Sequence, residues 1–229
     1  MRKKEKRNTI VVVISLVLIL SLSFLLLPIN TTKAFVSDEY KYGADFSIEL
    51  EDVPVYAQQT AYTCYAVSMV IVKNYLGADT DEQTLLAESG QQERNTGMLP
   101  QEYLSFAAQA LERLPYTIVL HNPKSETEIL NMVTSSLKEG LPVIFFYAAL
   151  DDWNRPNYNT HYGVIYGIDM GSEIVKLSNP YGYLEELPFV DFFAGLAFKN
   201  YAAEPFIYRI GRIINYIKSN NLFLLEGTL

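Results

Sequence analysis

The chain has 229 residues, of which 49% are hydrophobic and 19% charged, with a formal net charge of −8 and a single cysteine. That composition supports one sizeable buried core and excludes a disordered chain, and a lone cysteine excludes an intramolecular disulfide, so packing must hold the fold. Net acidity without a basic stripe and interleaved aromatics argues against a nucleic-acid partner.

At the N-terminus, Arg2, Lys3, Lys4, Lys6 and Arg7 precede an uncharged run from Ile10 to Leu27, 18 residues ended by Pro28. At about 1.5 Å per residue this run spans about 27 Å, close to the roughly 30 Å of a hydrocarbon core and longer than the about 7 to 15 residues of a signal-peptide core. Residues 1–34 are therefore read as a single-pass membrane anchor. The competing reading is a signal peptide cleaved after Thr32-Lys33-Ala34, which would release the rest. In both readings the basic flank stays cytoplasmic and residues from about 35 onward are extracytoplasmic. Six of the 18 basic residues and one of the 26 acidic residues fall in this segment, which leaves the outer part at −13.

Residues 35–50 are mixed and polar and read as a tether, with one folded domain over 51–229. "LEDVPVYAQ" reads as a short strand punctuated by Pro54. Thr63 is a good N-cap, and Cys64, Val67, Ile71 and Tyr75 recur at helical spacing before Gly77, so a first helix is expected from Cys64. It is apolar nearly all round, as a central buried helix should be. Further helices are expected from about Asp81 to Glu88, from Pro100 to Leu114 with proline in the first turn, and from Ser125 to Lys138. In the last of these Ser125 and Glu128 form a capping box and Gly140 is the stop. The period then changes. "PVIFFYAAL", "HYGVIYGI" and "EIVKLS" are β-branched and aromatic runs separated by polar loops. Helices followed by strands give an α+β domain with helices packed on an antiparallel sheet.

The helix start is where a cysteine is activated, because unpaired backbone N–H groups and the positive dipole end favour the thiolate. The plain alternative is a small core hydrophobe. A nucleophile needs a base, and the chain offers only His121 and His161. His121 falls in a loop before a helix. His161 opens a strand on which Gly163 and Ile165 share its face, leaving room for the first helix to approach. A three-residue loop Asp169-Met170-Gly171, with Gly171 left-handed, would set His161 opposite Asn179. Directly opposed residues have Cβ atoms about 4.5 to 5.5 Å apart, so the Asn179 amide oxygen can accept from one ring nitrogen; a bulge would shift this register. As a turn residue in "SNPYGY", Asn179 has a second reading. Gln58 or Gln59, with the Cys64 N–H, would supply two donors for an oxyanion.

Gln, Cys, His and Asn in that order resemble the papain-like cysteine peptidases. More narrowly, "VPVYAQQTAYTCYAVSMVIVKNYLG", "PVIFFY", "HYGVIYGID", "VKLSNPYG" and "DFFAGL" resemble cysteine peptidase family 39, the bacteriocin-leader-processing type, and its stand-alone bacterial relatives, over about residues 51–198. The resemblance implies a papain-like fold, a peptide or protein substrate, Cys64 as nucleophile, His161 as base, Asn179 as orienter, and Gln58 rather than Gln59 as oxyanion donor. Three positions depart from the family: Tyr65 stands where a small residue usually follows the cysteine, Asn179 where aspartate is usual, and Thr63 where an acidic residue or glycine is common. Tyr65 keeps a second hypothesis open, a catalytically silent papain-like binding module at the cell surface; a third is an amidohydrolase acting on cell-wall peptides. In the loop "LDDWNRPNYNTHY" Trp153 and Tyr158 read as packed loop anchors, with the edge of a substrate groove as the alternative. No ATPase signature occurs, no CxxC or HExxH pattern suggests a metal, and no cofactor is implied. The segment after about Tyr201 has apolar periodicity and reads as completing the core.

Overall fold

The computed structural model describes residues 46–150, 158–197 and 220–228. The expected anchor, most of the tether and Trp153 lie outside them, and among the described residues no helix is long and apolar enough to cross a membrane. Twelve elements follow in order: β1 (Ser47–Glu49), α1 (Cys64–Tyr75), α2 (Glu82–Glu88), α3 (Pro100–Ala110), β2 (Tyr116–His121), α4 (Glu126–Lys138), β3 (Val143–Leu150), β4 (Tyr158–Asp169), β5 (Ile174–Asn179), β6 (Tyr183–Pro188), α5 (Phe189–Leu196) and β7 (Asn221–Gly227). The strands form one antiparallel sheet in the order β2-β7-β3-β4-β5-β6, and β1 takes over from β3 along β4. The architecture is α+β, as the order of helical and strand periods requires.

Helix α1 is central: every residue from Cys64 to Val72 is buried. It packs with α3 on the sheet face that carries Tyr162 and Val164. There Tyr103 of α3 stacks on Tyr162 at 4.5 Å and meets Phe223 of β7 edge-on at 4.8 Å. The two phenols are satisfied internally, Tyr162 donating to the Met98 carbonyl at 3.0 Å and Tyr103 sharing a 3.2 Å bond with Ser68.

Several expectations change in the structure. The sheet begins at Ser47 rather than after the tether's expected end at residue 50, because β1 pairs with Gly167–Asp169. "LEDVPVYAQ" contributes only the isolated bridge Ala57↔Tyr181 in place of a strand. The third helix stops at Ala110, short of Leu114. At α4 the Ser125 hydroxyl accepts from the Glu128 N–H at 3.1 Å, but the Glu128 carboxylate reaches Lys124 N–H instead of closing the box on Ser125. Strands β2, β6 and β7 and helix α5 were not expected; of the C-terminal segment read as completing the core, residues 201–219 lie outside the described residues, and in β7 Leu222, Phe223 and Leu225 are buried.

Gly163 does not make room for the first helix. A Cβ there would lie 2.7 Å from Cε1 of Phe145, whose ring crosses the glycine and meets Phe192 of α5 at 5.4 Å. His161, Gly163, Phe145 and Tyr147 therefore share the face covered by α5, while α1 occupies the opposite face. The spacing that placed Gly163 on the His161 face was right, and an aromatic neighbour filled the gap.

Burial raises the proton affinity of the Cys64 thiol, pushed up to about 11, and of the Tyr103, Tyr147 and Tyr162 phenols. The folded chain thus holds protons that the unfolded chain releases, so stability must fall with rising pH in that range. Urea unfolding midpoints are expected to be level up to about pH 9 and to drop steeply as pH rises through 10 toward 11. Midpoints unchanged across that window would show that these groups ionise without unfolding.

Candidate active site

Asn179 closes β5 and opens the tight turn Asn179-Pro180-Tyr181-Gly182 into β6. Its Oδ1 accepts the Tyr181 N–H at 3.0 Å, and the Gly182 N–H donates to the Asn179 carbonyl at 2.9 Å. Gly182 has φ +94°, and a Cβ there would sit 2.8 Å from the Cβ of Ala57, so both conformation and close approach demand glycine. Through this contact the segment before α1 is fastened to the turn: Gln58 N–H donates to the Pro180 carbonyl at 2.7 Å, and the Ser178 hydroxyl donates to the Pro54 carbonyl at 2.8 Å.

The same Oδ1 lies 3.0 Å from His161 Nε2. Asn179 Nδ2 donates to Glu185 Oε2 at 2.8 Å. These partners fix the protons. The Tyr181 N–H can only donate and the Glu185 carboxylate accepts, so the amide has one orientation and Oδ1 is an acceptor; His161 Nε2 must then carry the hydrogen. In the neutral ring Nδ1 is left as the basic nitrogen. Tyr181 lies flat on the imidazole, centroids 4.3 Å apart at 12°, and Tyr147 meets it edge-on at 5.8 Å. His161 and Asn179 are each only 2% exposed. A bond kept dry in this way is stronger than one in water.

The expected register is corrected. Met170 to Glu173 form a four-residue connection with Glu173, not Gly171, in the left-handed conformation, and Tyr166 is bulged, so pairs such as Val164↔Ser178 sum to 342. On this register Asn179 lies diagonal to His161, opposite Gly163. The hydrogen bond still forms because both side chains lie on one face and the amide reaches along the strand. Asn179 serves as turn former and histidine partner at once, since an oxygen has two lone pairs.

Cys64 begins α1, and its thiol lies against the N–H of Tyr162, the residue after His161. Thr63 stands at the N-cap position without capping: its hydroxyl turns back to the Thr60 carbonyl at 3.3 Å. The first-turn N–H groups of Cys64 and Tyr65 are thereby available to the thiol, and with Tyr162 N–H they lower its proton affinity. Burial is the larger effect and pushes the thiol up to about 11, against the expectation from the helix terminus alone. The Tyr65 ring is fully buried and packs edge-on against Phe106 of α3 at 5.2 Å, in the core.

Of the two glutamines, Gln59 is drawn toward α2, its N–H donating to Glu82 at 2.9 Å and its Oε1 accepting from Gln83 at 3.2 Å. Gln58 Nε2 donates to the Thr60 carbonyl at 2.7 Å, and its Oε1 is buried without a partner among the described residues. An amide nitrogen has two hydrogens, so one remains for a ligand. His121 ends β2 rather than a loop, three strands from β4, with Nε2 3.9 Å from Glu226, and takes no part. Glu185 escaped the sequence reading. The alternation in "YLEELP" sets Tyr183, Glu185 and Leu187 on the inward face of β6, and an acid on that face was the available signal.

Residues 50–201 match the model of the peptidase C39-like family. The chain belongs to that family. Among solved structures, a candidate C39-like peptidase from Bacillus anthracis is 18% identical and superposes with a TM-score of 0.52, covering 80% of this chain and 98% of that one. A double-glycine-motif protease from an AMS/PCAT transporter, in complex with its leader peptide, is 13% identical with a TM-score of 0.47, covering 79% and 95%. The peptidase domain of Streptococcus ComA, a bifunctional ABC transporter, is 11% identical with a TM-score of 0.48, covering 76% and 98%. No curated protein matches. At these identities the first structure speaks for the fold of this C39-like chain, and the roles of its residues rest on the site itself.

Proposed function

We propose that this C39-like protein is an extracytoplasmic cysteine peptidase, tethered by its N-terminal segment, that hydrolyses peptide bonds with Cys64, His161, Asn179 and Gln58. The observation that carries the reading is the fixed His161–Asn179 pair, with the Cys64 thiol against the N–H of the next residue, Tyr162. In the reaction Nδ1 of His161 takes the Cys64 proton as the sulfur bonds to the substrate carbonyl carbon. The resulting oxyanion is held by the Cys64 N–H and the second N–H of Gln58 Nε2. His161 returns the proton to the departing amine, then removes one from the water that opens the thioester. Asn179 holds the ring in the tautomer this sequence requires.

A second reading, a silent binding module, draws support from the burial that holds the thiol protonated and from the Gln58 bond to Thr60. Tyr65 no longer supports it, because its ring lies in the core. The readings separate when the full chain and its Cys64→Ala variant are incubated with a peptide library and, in parallel, with peptidoglycan fragments, and new termini are read by mass spectrometry. Cleavage of peptides by the wild type alone is expected. Cleavage confined to wall fragments would move the substrate class to cell-wall peptides, and no Cys64-dependent product in either set would leave the binding module.

A further inference from the structure

The Tyr181 N–H holds the oxygen end of the Asn179 amide, and the nitrogen end is held as well. Glu185 does so from β6, accepting from Nδ2 at 2.8 Å, with the Tyr183 hydroxyl at 3.5 Å from the same nitrogen. A carboxylate cannot donate, so the amide cannot turn over without setting Oδ1 against negative charge. We propose that Glu185 is a positioning residue of this site: it locks the Asn179 amide and, through it, supports the positively charged form of His161.

The inference rests on the peptidase reading for its purpose but not for its physics. The positive imidazole forms each time the thiol gives up its proton, and a carboxylate one amide away favours that form. Tyr181 stacks on the ring from the turn and Tyr147 meets it edge-on from β3. Glu185, Tyr183, Tyr181 and Cys64 all act electrostatically on Tyr147. Among these only Glu185 is an acid that is ionised at neutral pH in its ordinary range. Its place on an edge strand, half-buried, makes it replaceable without opening the core.

With two histidines in the chain, histidine-selective isotope labelling of the full-length protein in detergent gives two imidazole signals, which a His121→Gln variant assigns. Glu185→Gln is expected to lower the pH at which His161 titrates by about one unit at an unchanged unfolding midpoint, and Glu185→Asp, which keeps the charge, to restore most of it. In an Asn179→Ala background the Glu185→Gln shift is expected to fall to less than half. An unshifted His161 in Glu185→Gln, an equal drop in Glu185→Asp, or a full shift persisting without Asn179 overturns the proposal. So does a wild-type nitrogen spectrum with the hydrogen on Nδ1 instead of Nε2, a check that needs no variant. Because no substrate enters these titrations, a protein that shows the shift yet cleaves nothing would refute the peptidase reading alone, and one that cleaves without the shift would refute Glu185's role alone.

Discussion

Replacing His161 by alanine is expected to slow alkylation of Cys64 by iodoacetamide at neutral pH by about 100-fold or more, and to move the pH dependence of that rate up toward the thiol's buried value. The reason is arithmetic: a thiol pushed up to about 11 by burial is ionised only to about one part in ten thousand at pH 7. Any substantial reactivity must therefore come from proton transfer to a base, and on the proposed mechanism that base is His161, whose neighbour in sequence, Tyr162, has its N–H against the thiol. In the wild type, transfer of the proton to His161 is expected to bring the pH dependence of the rate below that of the His161→Ala variant. A slow wild-type rate, titrating near 11 and indifferent to His161, would remove the peptidase reading.

Phe145→Ala is expected to cost about 3 to 5 kcal/mol, a large share of the roughly 5 to 15 kcal/mol that stabilises an ordinary domain. Phe145 is fully buried, lies over Gly163, and packs against Tyr147 at 4.4 Å and Phe192 at 5.4 Å. Truncation leaves a void that the sheet backbone cannot collapse to fill. Tyr147, which meets the His161 ring edge-on, would lose a ring neighbour, so activity is expected to fall along with stability. Urea unfolding followed by circular dichroism measures the loss; a change under about 1 kcal/mol would mean that α5 settles into the gap.

How far the sequence could be read depended on the range of each interaction. The α1 start at Cys64, the Ser125 cap, Pro100 opening α3 and the Gly77 and Gly140 stops are local signals, read within one helical turn, and they stand in the structure. Strands β2 and β7 were not legible because their pairing joins residues about a hundred positions apart, Tyr116 with Gly227, and neither alternates strongly. The His161–Asn179 bond was anticipated from the hairpin, yet by the wrong register, since a bulge at Tyr166 leaves no mark in composition.

By itself the sequence determined the α+β order of elements, the lone thiol at a helix start, and the pairing of one histidine with one asparagine, because helix caps, strand alternation and hairpin proximity are properties of neighbouring residues. Only the tertiary structure decided that the thiol is held protonated by burial, that Tyr65 turns into the core, that Gly163 accommodates Phe145, and that Glu185 stands behind Asn179. Each of these depends on which surfaces exclude water together, and that is settled when β6, α1 and α5 close around the sheet.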